Sequence, residues 1–427
     1  MKKFLLLHNK RQALIGIMLM LSMNMVISQE TFKIMFYNVL NFPDQGPVNR
    51  IDNLAYILQD YQPDIFMICE LNNEQGANDI LGVLQTLKPS YSKANFVLNT
   101  SDDADGDQNF LQNIIFYDSS KFILNAQFEV TTIFRDFNHY ILKLNTVDQV
   151  ANPIILNAIV CHLKSSSGTV NQALRLQMVN DLTTYLDGLS SDELVLLGGD
   201  LNLYTQSEAA FQELIDPSNN ITFTDPANRI GSWSNNLVYL DVFTQSTRTQ
   251  SGLGGATGGF DDRFDFILTS ENLAADPDLF YVPNSYQVFG NNGNNNCYNQ
   301  EINSFNCSGP EFDFTIRDAL YYMSDHLPVT LELQTNESLL NITEFVTTPS
   351  YRFINGNLVE ETVELAIESN VNQLKNVTVY NVYGQRMAQL EMDALNHLKF
   401  DVSNWSSGIY YITFPNRQIK PLKFIKK

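Results

Sequence analysis

Short apolar runs that end in polar residues recur along the first two thirds of the chain. They lie at residues 31–39, 65–69, 154–161 and 194–197. Their aromatic, leucine and β-branched side chains are typical of strands buried on both faces. Between these runs, residues 49–61 and 172–186 place apolar side chains at helical spacing. The alternation predicts an α/β domain in which helices cover the faces of sheets.

Further runs complete this domain. Residues 110–117 and 121–132 are predicted to form a hairpin. Strands are also expected at residues 140–144, 263–268 and 329–333. Arg175 falls outside the apolar stripe of its helix, so we expect it on the surface, with contact to a phosphate as the alternative.

The pattern changes after residue 333 to short strand runs without helical spacing. These runs lie at residues 363–367, 377–385 and 408–414. We predict a linker at residues 336–350 and a small domain of short strands at residues 351–427.

The first 28 residues have the composition of a signal peptide. Lys2, Lys3, Lys10 and Arg11 precede a mostly apolar run at residues 13–27. A membrane anchor is the alternative, but the run falls short of the roughly 20 residues needed to span a bilayer. No later stretch is apolar enough to cross one, so we expect no stable membrane span.

The net charge of the chain limits the kinds of molecule that it is expected to bind. The formal net charge of −21 argues against binding nucleic acid through a wide positive surface. It does not exclude an enzyme in which metal ions bring the positive charge to the site.

The four cysteines fall into two kinds of surroundings. Cys297 and Cys307 lie at or near an Asn- and Gly-rich loop, and an exported protein meets an oxidising environment, so we predict a local disulfide. Cys69 and Cys161 lie inside apolar strand patterns and are expected to be buried free thiols.

Polar side chains stand at or beside the ends of the predicted strands. They are Asn38, Glu70, His162, Asp200, Asn202, Asp265, Asp325 and His326. Side chains alternate along a strand, so Asp200 and Asn202 are expected to point the same way. Such residues at strand ends predict a common polar site.

This set suits hydrolysis of a phosphoric ester, which needs charge neutralised and a water positioned. Glu70 is the expected ligand of Mg²⁺, with Mn²⁺ as an alternative, and Asn38 and Asp325 add oxygens. His326 can accept a proton from water while Asp265 holds its other ring nitrogen.

The remaining residues of this polar set are predicted to contact the substrate or the attacking water. Asp200 would orient the water or protonate the leaving oxygen. Asn38, Asn202 and His162 would contact the phosphate oxygens. The choice of acid and base among Asp200, His162 and His326 stays open.

An acidic run at residues 101–107 resembles half of a calcium loop beginning at Asp103. The twelfth position from there is Ile114, where an EF-hand requires Glu. We therefore favour a solvated loop, with a structural Ca²⁺ site as the weaker alternative.

Six motifs occur in a fixed order: N-x-x-N-F, I-C-E-L, C-H-L-K-S, G-G-D-L-N, R-F-D-F-I and S-D-H-L-P. The series resembles the endonuclease/exonuclease/phosphatase superfamily, which includes deoxyribonuclease I and neutral sphingomyelinases. The resemblance implies a four-layer αββα sandwich over residues 30–335, with the motif residues at one edge, and supports the pairing of His326 with Asp265. His162 resembles the deoxyribonuclease I and sphingomyelinase branches, because some related nucleases carry Tyr there.

The tail carries its own motifs, V-Y-N-V-Y-G-Q and D-V-S-x-W-x-x-G-I-Y-Y-I, followed by a basic end. These resemble the C-terminal sorting domain of type IX secretion substrates. The resemblance implies a small β-sandwich and secretion or display at the outer-membrane surface, with the secretion machinery as partner. An accessory or carbohydrate-binding β-sandwich is the alternative.

The combined prediction is a secreted, monomeric, metal-dependent phosphodiester hydrolase that acts on nucleic acid. A sphingomyelinase-like or small-molecule phosphoesterase is the second hypothesis, and a catalytically silent binding module is a third from another class. Basic residues in a groove would favour nucleic acid. The candidates near the motifs are Lys164, Arg175, Arg248 and Arg263.

Overall fold

Strands and helices alternate through residues 29–340. The strands are β1 (Glu30–Phe42), β2 (Ile65–Leu71), β3 (Tyr91–Lys93), β4 (Gln112–Asp118), β5 (Phe122–Val130), β6 (Phe137–Leu144), β7 (Ile155–His162), β8 (Leu194–Asp200), β9 (Phe223–Thr224), β10 (Asp265–Ser270), β11 (Leu279–Tyr281), β12 (Gln287–Val288) and β13 (Val329–Thr335). The α-helices are α1 (Arg50–Tyr61), α2 (Glu74–Leu87), α3 (Thr169–Leu186), α4 (Ala209–Leu214) and α5 (Phe314–Met323).

The computed structural model describes most of the chain. The described residues are 29–101, 111–340, 351–354, 356–367, 376–391, 397–413 and 421–427. The predicted signal peptide, most of the acidic run at residues 101–107 and residues 341–350 lie outside them. The chain divides into two compact units between Leu340 and Asn341.

Two sheets form the first unit. One has the order β11-β13-β1-β2-β4-β3, with β12 also paired to β13, and the other has the order β5-β6-β7-β8-β10-β9. The sheets approach closely where β8 contains Gly198, since a Cβ there would lie 2.6 Å from Cε of Met67 in β2. The first glycine of the G-G-D-L-N motif thus lets the two sheets pack together.

Helices cover the outer faces of both sheets. Leu54 of α1, Ile80 of α2 and Leu320 of α5 are buried in the cluster that contains the first sheet. Met178 of α3 and Phe211 of α4 pack in a second cluster with the second sheet. These layers confirm the predicted four-layer αββα sandwich.

The predicted hairpin of residues 110–117 and 121–132 is wrong. β4 pairs with β2 and β3 in the first sheet, whereas β5 pairs with β6 in the second. The chain therefore crosses from one sheet to the other after Asp118. The two runs look alike locally, and their true partners lie elsewhere in the sequence.

The predicted surface position of Arg175 is also wrong. Its side chain is fully buried, and its Nε and Nη2 donate to Oε2 of Glu208 at 2.9 and 2.7 Å. An acid 33 residues downstream compensates the buried charge.

Both predictions about the cysteines are confirmed. Cys297 and Cys307 form a disulfide. Cys69 and Cys161 are free and buried.

The start of the predicted linker belongs to the first unit. Ser338 O accepts from Val147 N at 2.9 Å, and Leu340 N donates to Asn145 O at 2.7 Å. The predicted linker boundary at residue 336 is therefore too early.

The second unit is built from short strands. One sheet holds β14 (Tyr351–Phe353), β16 (Thr362–Ile367) and β19 (His397–Asp401); the other holds β15 (Leu358–Val359), β17 (Asn376–Asn381), β18 (Arg386–Glu391), β20 (Gly408–Thr413) and β21 (Leu422–Lys426). Leu365 and Phe400 share one buried core with Val379, Ile412 and Phe424. This is the predicted small β-sandwich. Across the described residues of both units, no helix has the length and apolar character to span a membrane.

Candidate active site

Strands of both sheets end at one edge of the sandwich. In the first sheet, β1 and β2 run parallel with Asn38 opposite Cys69, so Asn38 and Glu70 reach the same edge. In the second sheet, the parallel strands β7 and β8 place His162 opposite Asp200. Strand pairing therefore brings together residues that are distant in the sequence.

Asp200 lies at the centre of the resulting cluster. Its Oδ2 is 3.1 Å from Nδ2 of Asn38. The Nε2 atoms of His162 and His326 lie 3.6 and 3.8 Å from the same oxygen. β10 adds Asp265 directly opposite Asp200. The first and second sheets thus contribute to a single site.

His326 and Asp265 form a buried pair. Nδ1 of His326 lies 2.7 Å from Oδ2 of Asp265, which is fully buried. Burial lowers the pKa of His326, but the charges of Asp265 and Asp325 outweigh it and hold that pKa well above its ordinary value. The pair has the geometry for a histidine held by a carboxylate.

Several non-glycine residues at this edge have left-handed backbone conformations. Their φ angles are 45° at Leu40, 47° at Asn41, 59° at Glu70 and 50° at Asn202. Side chains help to hold them, since Asn41 N donates to Oε2 of Glu70 and Asn202 N donates to Oδ1 of Asp200. Strained residues that cluster in this way are characteristic of functional sites.

The buried carboxylates raise one another's proton affinity. Burial and the nearby charges of Asp265 and Glu70 raise the pKa of Asp200 to about 8. Burial and the charge of Asp325 also raise the pKa of Glu70. These shifts indicate that the protein alone leaves the cluster short of positive charge.

His162 is affected in the opposite direction. Burial, followed by the charges of Arg135, His326 and Lys164, holds the pKa of His162 well below its ordinary value. Neutral His162 can therefore donate or accept a hydrogen bond, and its Nδ1 is buried with no hydrogen-bond partner among the described residues.

The donor set fits a hard divalent cation. Ligand atoms of Glu70, His162 and Asp200 lie within 4.8 Å of one another. The carboxylate oxygens of Glu70 and Asp200 suit Mg²⁺ or Mn²⁺, and a cation would relieve the carboxylate crowding that raises the pKa of Asp200. Oδ1 of Asp325 is also buried without a partner in the described part of the chain.

Asn38 was predicted both as a metal ligand and as a contact of the phosphate. Its Oδ1 accepts from the backbone N–H of Leu40 at 2.9 Å, so its Nδ2 must face Glu70 at 2.9 Å. Asn38 therefore presents an N–H donor to the cluster, and its predicted roles toward the metal and the phosphate stay predictions. The ligand role of Asp325 stays a prediction, because Asp325 does not belong to the cluster of ligand atoms formed by Glu70, His162 and Asp200.

Asn202 lies beside the same strand ends. It is 7% exposed, and its Nδ2 donates to Leu163 O at 3.3 Å. Its predicted contact with phosphate stays a prediction.

Gln245 is a site residue that the sequence analysis missed. Its Nε2 lies 2.6 Å from Nε2 of His326 and 3.0 Å from Oδ2 of Asp325. The same carboxylate oxygen accepts from Ala256 N at 2.7 Å, and a Cβ on Gly255 would lie 2.4 Å from Cγ of Asp325. Gln245 and the glycine-rich loop together fix Asp325. The irregular sequence around them gives no periodic signal.

Arg135 was missed as well. It is 4% exposed, and its Nε and Nη2 donate to the carbonyls of His162 and Leu163 at 2.8 and 2.6 Å. The charges of Glu70 and Asp200 act on its pKa, which burial lowers. In the sequence, Arg135 is a basic residue between two predicted strands. Such residues are too common for this position to single out Arg135.

Three of the four predicted groove cations are fully buried. Arg175 pairs with Glu208, and Arg263 donates twice to the carboxylate of Asp225 at 2.8 Å. Arg248 donates to backbone carbonyls, including that of Tyr321 at 2.8 Å. Lys164 is partly exposed, so it is the member of this group that can reach a ligand.

Comparison with known proteins gives two family matches. The model of the endonuclease/exonuclease/phosphatase family matches residues 35–326. The model of the secretion system C-terminal sorting domain matches residues 359–427. A search of curated proteins returned no match.

Solved structures of low sequence identity resemble the chain. D. rerio TDP2 complexed with a single-strand DNA product has a TM-score of 0.46 and 16% identity, covering 71% of this chain and 99% of that chain. An endonuclease/exonuclease/phosphatase from Bacteroides vulgatus has a TM-score of 0.44 and 14% identity, covering 72% and 99%. The Bacteroides thetaiotaomicron mannosyl-6-phosphatase has a TM-score of 0.41 and 14% identity, covering 71% and 99%.

Proposed function

Because the chain belongs to the endonuclease/exonuclease/phosphatase family of phosphoric ester hydrolases, we propose that it is a metal-dependent phosphodiesterase that cleaves nucleic acid. The convergence of both sheets on Asp200, beside the 2.7 Å pair of His326 and Asp265, is the observation that carries the proposal. The sorting domain directs the protein to type IX secretion, which confirms the predicted location outside the cell or on its surface.

The protein groups can activate and orient a water. Nε2 of His326 faces Asp200, so the two can share the proton that the water loses as its oxygen attacks phosphorus. Asp265 holds Nδ1 of His326 and stabilises the protonated ring. The proton that the leaving oxygen gains comes from one of the buried acids or imidazoles.

Other residues bind the phosphate and the metal. Glu70 and Asp200 would hold Mg²⁺, or Mn²⁺ in its place, with His162 beside them and Asp325 as a further candidate ligand. The cation would neutralise charge on the phosphate oxygens. Asn38, His162 and Asn202 donate hydrogen bonds to those oxygens in this proposal, which shield the charge that opposes attack.

A lipid or small-molecule phosphoester is the second candidate substrate. The burial of Arg175, Arg248 and Arg263 favours it, because these side chains cannot form a basic groove for a long polyanion. The net charge of −21 acts in the same direction.

A substrate panel tests the proposal. The purified protein is incubated with plasmid DNA, RNA, sphingomyelin and bis(p-nitrophenyl) phosphate, each with Mg²⁺ and with EDTA. Cleavage of DNA or RNA that EDTA abolishes supports the proposal. Hydrolysis of sphingomyelin without nucleic acid would favour the lipid candidate, and inactivity on every substrate would favour a silent binding module.

His326→Ala is the first variant to measure. We expect kcat on the active substrate to fall by about 10²–10⁴-fold, because the proton acceptor is lost. Circular dichroism and thermal melting check the fold. Unchanged kcat in a folded His326→Ala protein would remove His326 from the proposed mechanism.

A further inference from the structure

The second unit has an outer sheet face that departs from the usual pattern of a sandwich. In β20, Tyr410 and Ile412 belong to the buried core, so Ile409 and Tyr411 lie on the outer side, where each is 37% exposed. The outer face of an antiparallel sheet is ordinarily polar. Apolar residues on both sides of a strand are typical of a strand covered on both faces, so the outer side of β20 has the composition of a buried surface.

Strand pairing arranges this outer side in three rows, because cross-strand partners share a face of the sheet. Ile425 of β21 pairs with Leu358 of β15 and with Ile409 of β20, which makes an aliphatic row. The next row has two tyrosines between two cations, namely Lys423, Tyr411, Tyr380 and Arg386. The third row is neutral and polar, with Thr413, Thr378 and Gln389. We call these three rows the amphipathic face.

The charges on the amphipathic face have one sign, since its three rows hold two cations and no acidic residue. Glu360, which follows β15, is paired with Lys427 at 3.2 Å. The opposite outer face carries charges of both signs, because Lys399 of β19 lies 3.6 Å from Glu364 of β16. Residues 341–427 together have nine Lys and Arg and eight Asp and Glu, although the net charge of the chain is −21. The amphipathic face therefore suits an anionic partner.

The order of the rows indicates which anionic partner fits. In a lipid bilayer the acyl chains lie below a headgroup layer, where tyrosine rings and the charged ends of long side chains concentrate. The aliphatic row matches the acyl boundary, and the row of tyrosines and cations matches phosphate-bearing headgroups. A second copy of the chain fits less well, because a two-fold pairing of this face would bring the cations of both copies into one interface.

We propose that the amphipathic face binds the anionic lipid surface of the outer membrane, with the aliphatic row at the acyl boundary and Lys423 and Arg386 on lipid phosphates. This lipid partner is additional to the secretion and surface location that the sorting domain indicates. It is independent of the reaction proposed for the first unit. Each cation near an anionic lipid surface contributes about fivefold in affinity.

Sedimentation of the purified chain with lipid vesicles tests this partner. Vesicles of phosphatidylcholine alone are compared with vesicles that also contain the anionic lipid phosphatidylglycerol, and we expect the wild type to bind the anionic vesicles more tightly. Lys423→Gln should weaken that binding about fivefold and leave binding to the neutral vesicles unchanged, because one cation near the surface is lost. Lys399→Gln removes an equal charge from the opposite outer face and is the matched control, which should bind as the wild type does.

A second pair of variants tests the aliphatic row. Ile409→Ser should weaken binding to both kinds of vesicle by about fivefold, since less apolar surface reaches the acyl boundary. Val150→Ser, at a 93% exposed side chain of the first unit, is the control and should leave binding unchanged. Thermal melting checks that the Ile409→Ser protein remains folded.

Three results would overturn the lipid partner. The wild type could bind neither kind of vesicle, or Lys399→Gln could weaken binding as much as Lys423→Gln does. Analytical ultracentrifugation could instead show a dimer that Ile409→Ser dissociates while vesicle binding stays unchanged, which would make this face an interface between two copies of the chain. None of these results bears on the nuclease function, which the substrate panel tests separately.

Discussion

Asp200 contacts residues from both sheets of the candidate site. Its carboxylate faces Asn38, His162 and His326, and it also accepts from the backbone N of Asn202. Because burial raises its pKa to about 8, folding the metal-free protein favours the protonated acid. The residue that organises the site therefore also costs stability whenever it is charged.

The pH dependence of stability tests this consequence in EDTA. The folded-state pKa of Asp200 lies above its unfolded value of about 3.9, so its contribution is fully present below that pH and is lost as pH rises through about 8. Asp200→Asn removes the buried charge, and we expect its melting temperature to exceed that of the wild type by a few degrees at pH 9 and to match it near pH 5. Asp187→Asn, at an exposed acid that follows α3, is the control. If the wild type melted at a higher temperature than Asp200→Asn at pH 9, the charge balance described for the site would be contradicted.

Site residues at the ends of strands could be predicted from the sequence. Site residues that reach the cluster from irregular segments could not. Glu70, His162 and Asp200 were predictable because each stands at the end of a buried apolar run. Gln245 and Arg135 reach the site through irregular backbone, where no periodic pattern marks a side chain. Their importance comes from contacts with His326 and the strand end of β7, which only the folded chain reveals.

At the scale of elements, α3 holds together two loops of the site. Nη1 of Arg175 donates to the carbonyls of Lys164 and Ser166 at 2.8 and 2.9 Å, in the loop after His162. The paired Glu208 accepts from Tyr204 N at 2.9 Å, in the segment after Asn202. One buried ion pair thus fixes both loops.

Removing the cation of this pair should be costly. Arg175→Met leaves Glu208 buried without a partner, and we expect a loss of about 3–5 kcal/mol in the free energy of unfolding. Adding Glu208→Gln to this variant removes the unpaired charge and should recover part of that loss. Urea denaturation measures both variants. A double variant less stable than the single one would show that the pair is not the source of the effect.

The disulfide loop braces the segments next to Asp325. Ile302 N donates to Thr247 O at 3.0 Å, and Phe260 N donates to Gln300 O at 3.2 Å. Thr247 N in turn donates to Asp325 O at 3.0 Å. The loop closed by Cys297 and Cys307 therefore supports the backbone that carries a candidate ligand.

Opening this loop should lower stability. For a separation of 10 residues, loss of the Cys297–Cys307 bond is expected to cost about 2–3 kcal/mol, whether by reduction or by substitution of both cysteines with Ser. Denaturation of the wild type with and without dithiothreitol measures the loss. The double serine variant is the control, because dithiothreitol should leave its stability unchanged. Equal stability of the oxidised and reduced wild type would contradict the bracing role.

The sandwich itself was predictable at this scale, whereas the exchange between sheets was not. Alternating runs identified most strands, but the runs that became β4 and β5 were predicted to pair with each other. Pairing depends on partners such as β2 and β6, and a local apolar pattern does not encode which partner a strand takes. The same limit explains Arg175, whose partner lies in a separate segment.

For the whole molecule, charge bears most directly on the choice of substrate. The chain carries a net charge of −21, and most candidate groove cations are buried. Under the proposed function, recognition of a nucleic acid would then depend on a few contacts near Lys164 and on the metal. Long-range attraction to the polyanion is weak in such a protein.

The dependence of cleavage on salt measures the number of such contacts. We expect log kcat/KM on double-stranded DNA to fall against log salt with a slope of about −2 or shallower between roughly 50 and 200 mM, because each neutralised phosphate contributes about −0.9. Lys164→Ala should flatten the slope by about one. A slope of about −5 or steeper would instead reveal a broad basic surface.

The site joins the first strand of the sandwich to its last. Nδ2 of Asn38 in β1 lies 3.5 Å from Nε2 of His326, although 288 positions separate them in sequence. During translation, Asn38 is therefore synthesised long before His326. A nascent or prematurely terminated polypeptide contains an incomplete reaction centre. A polypeptide that ends before His326 is therefore expected to lack the phosphoric ester hydrolase activity of the family.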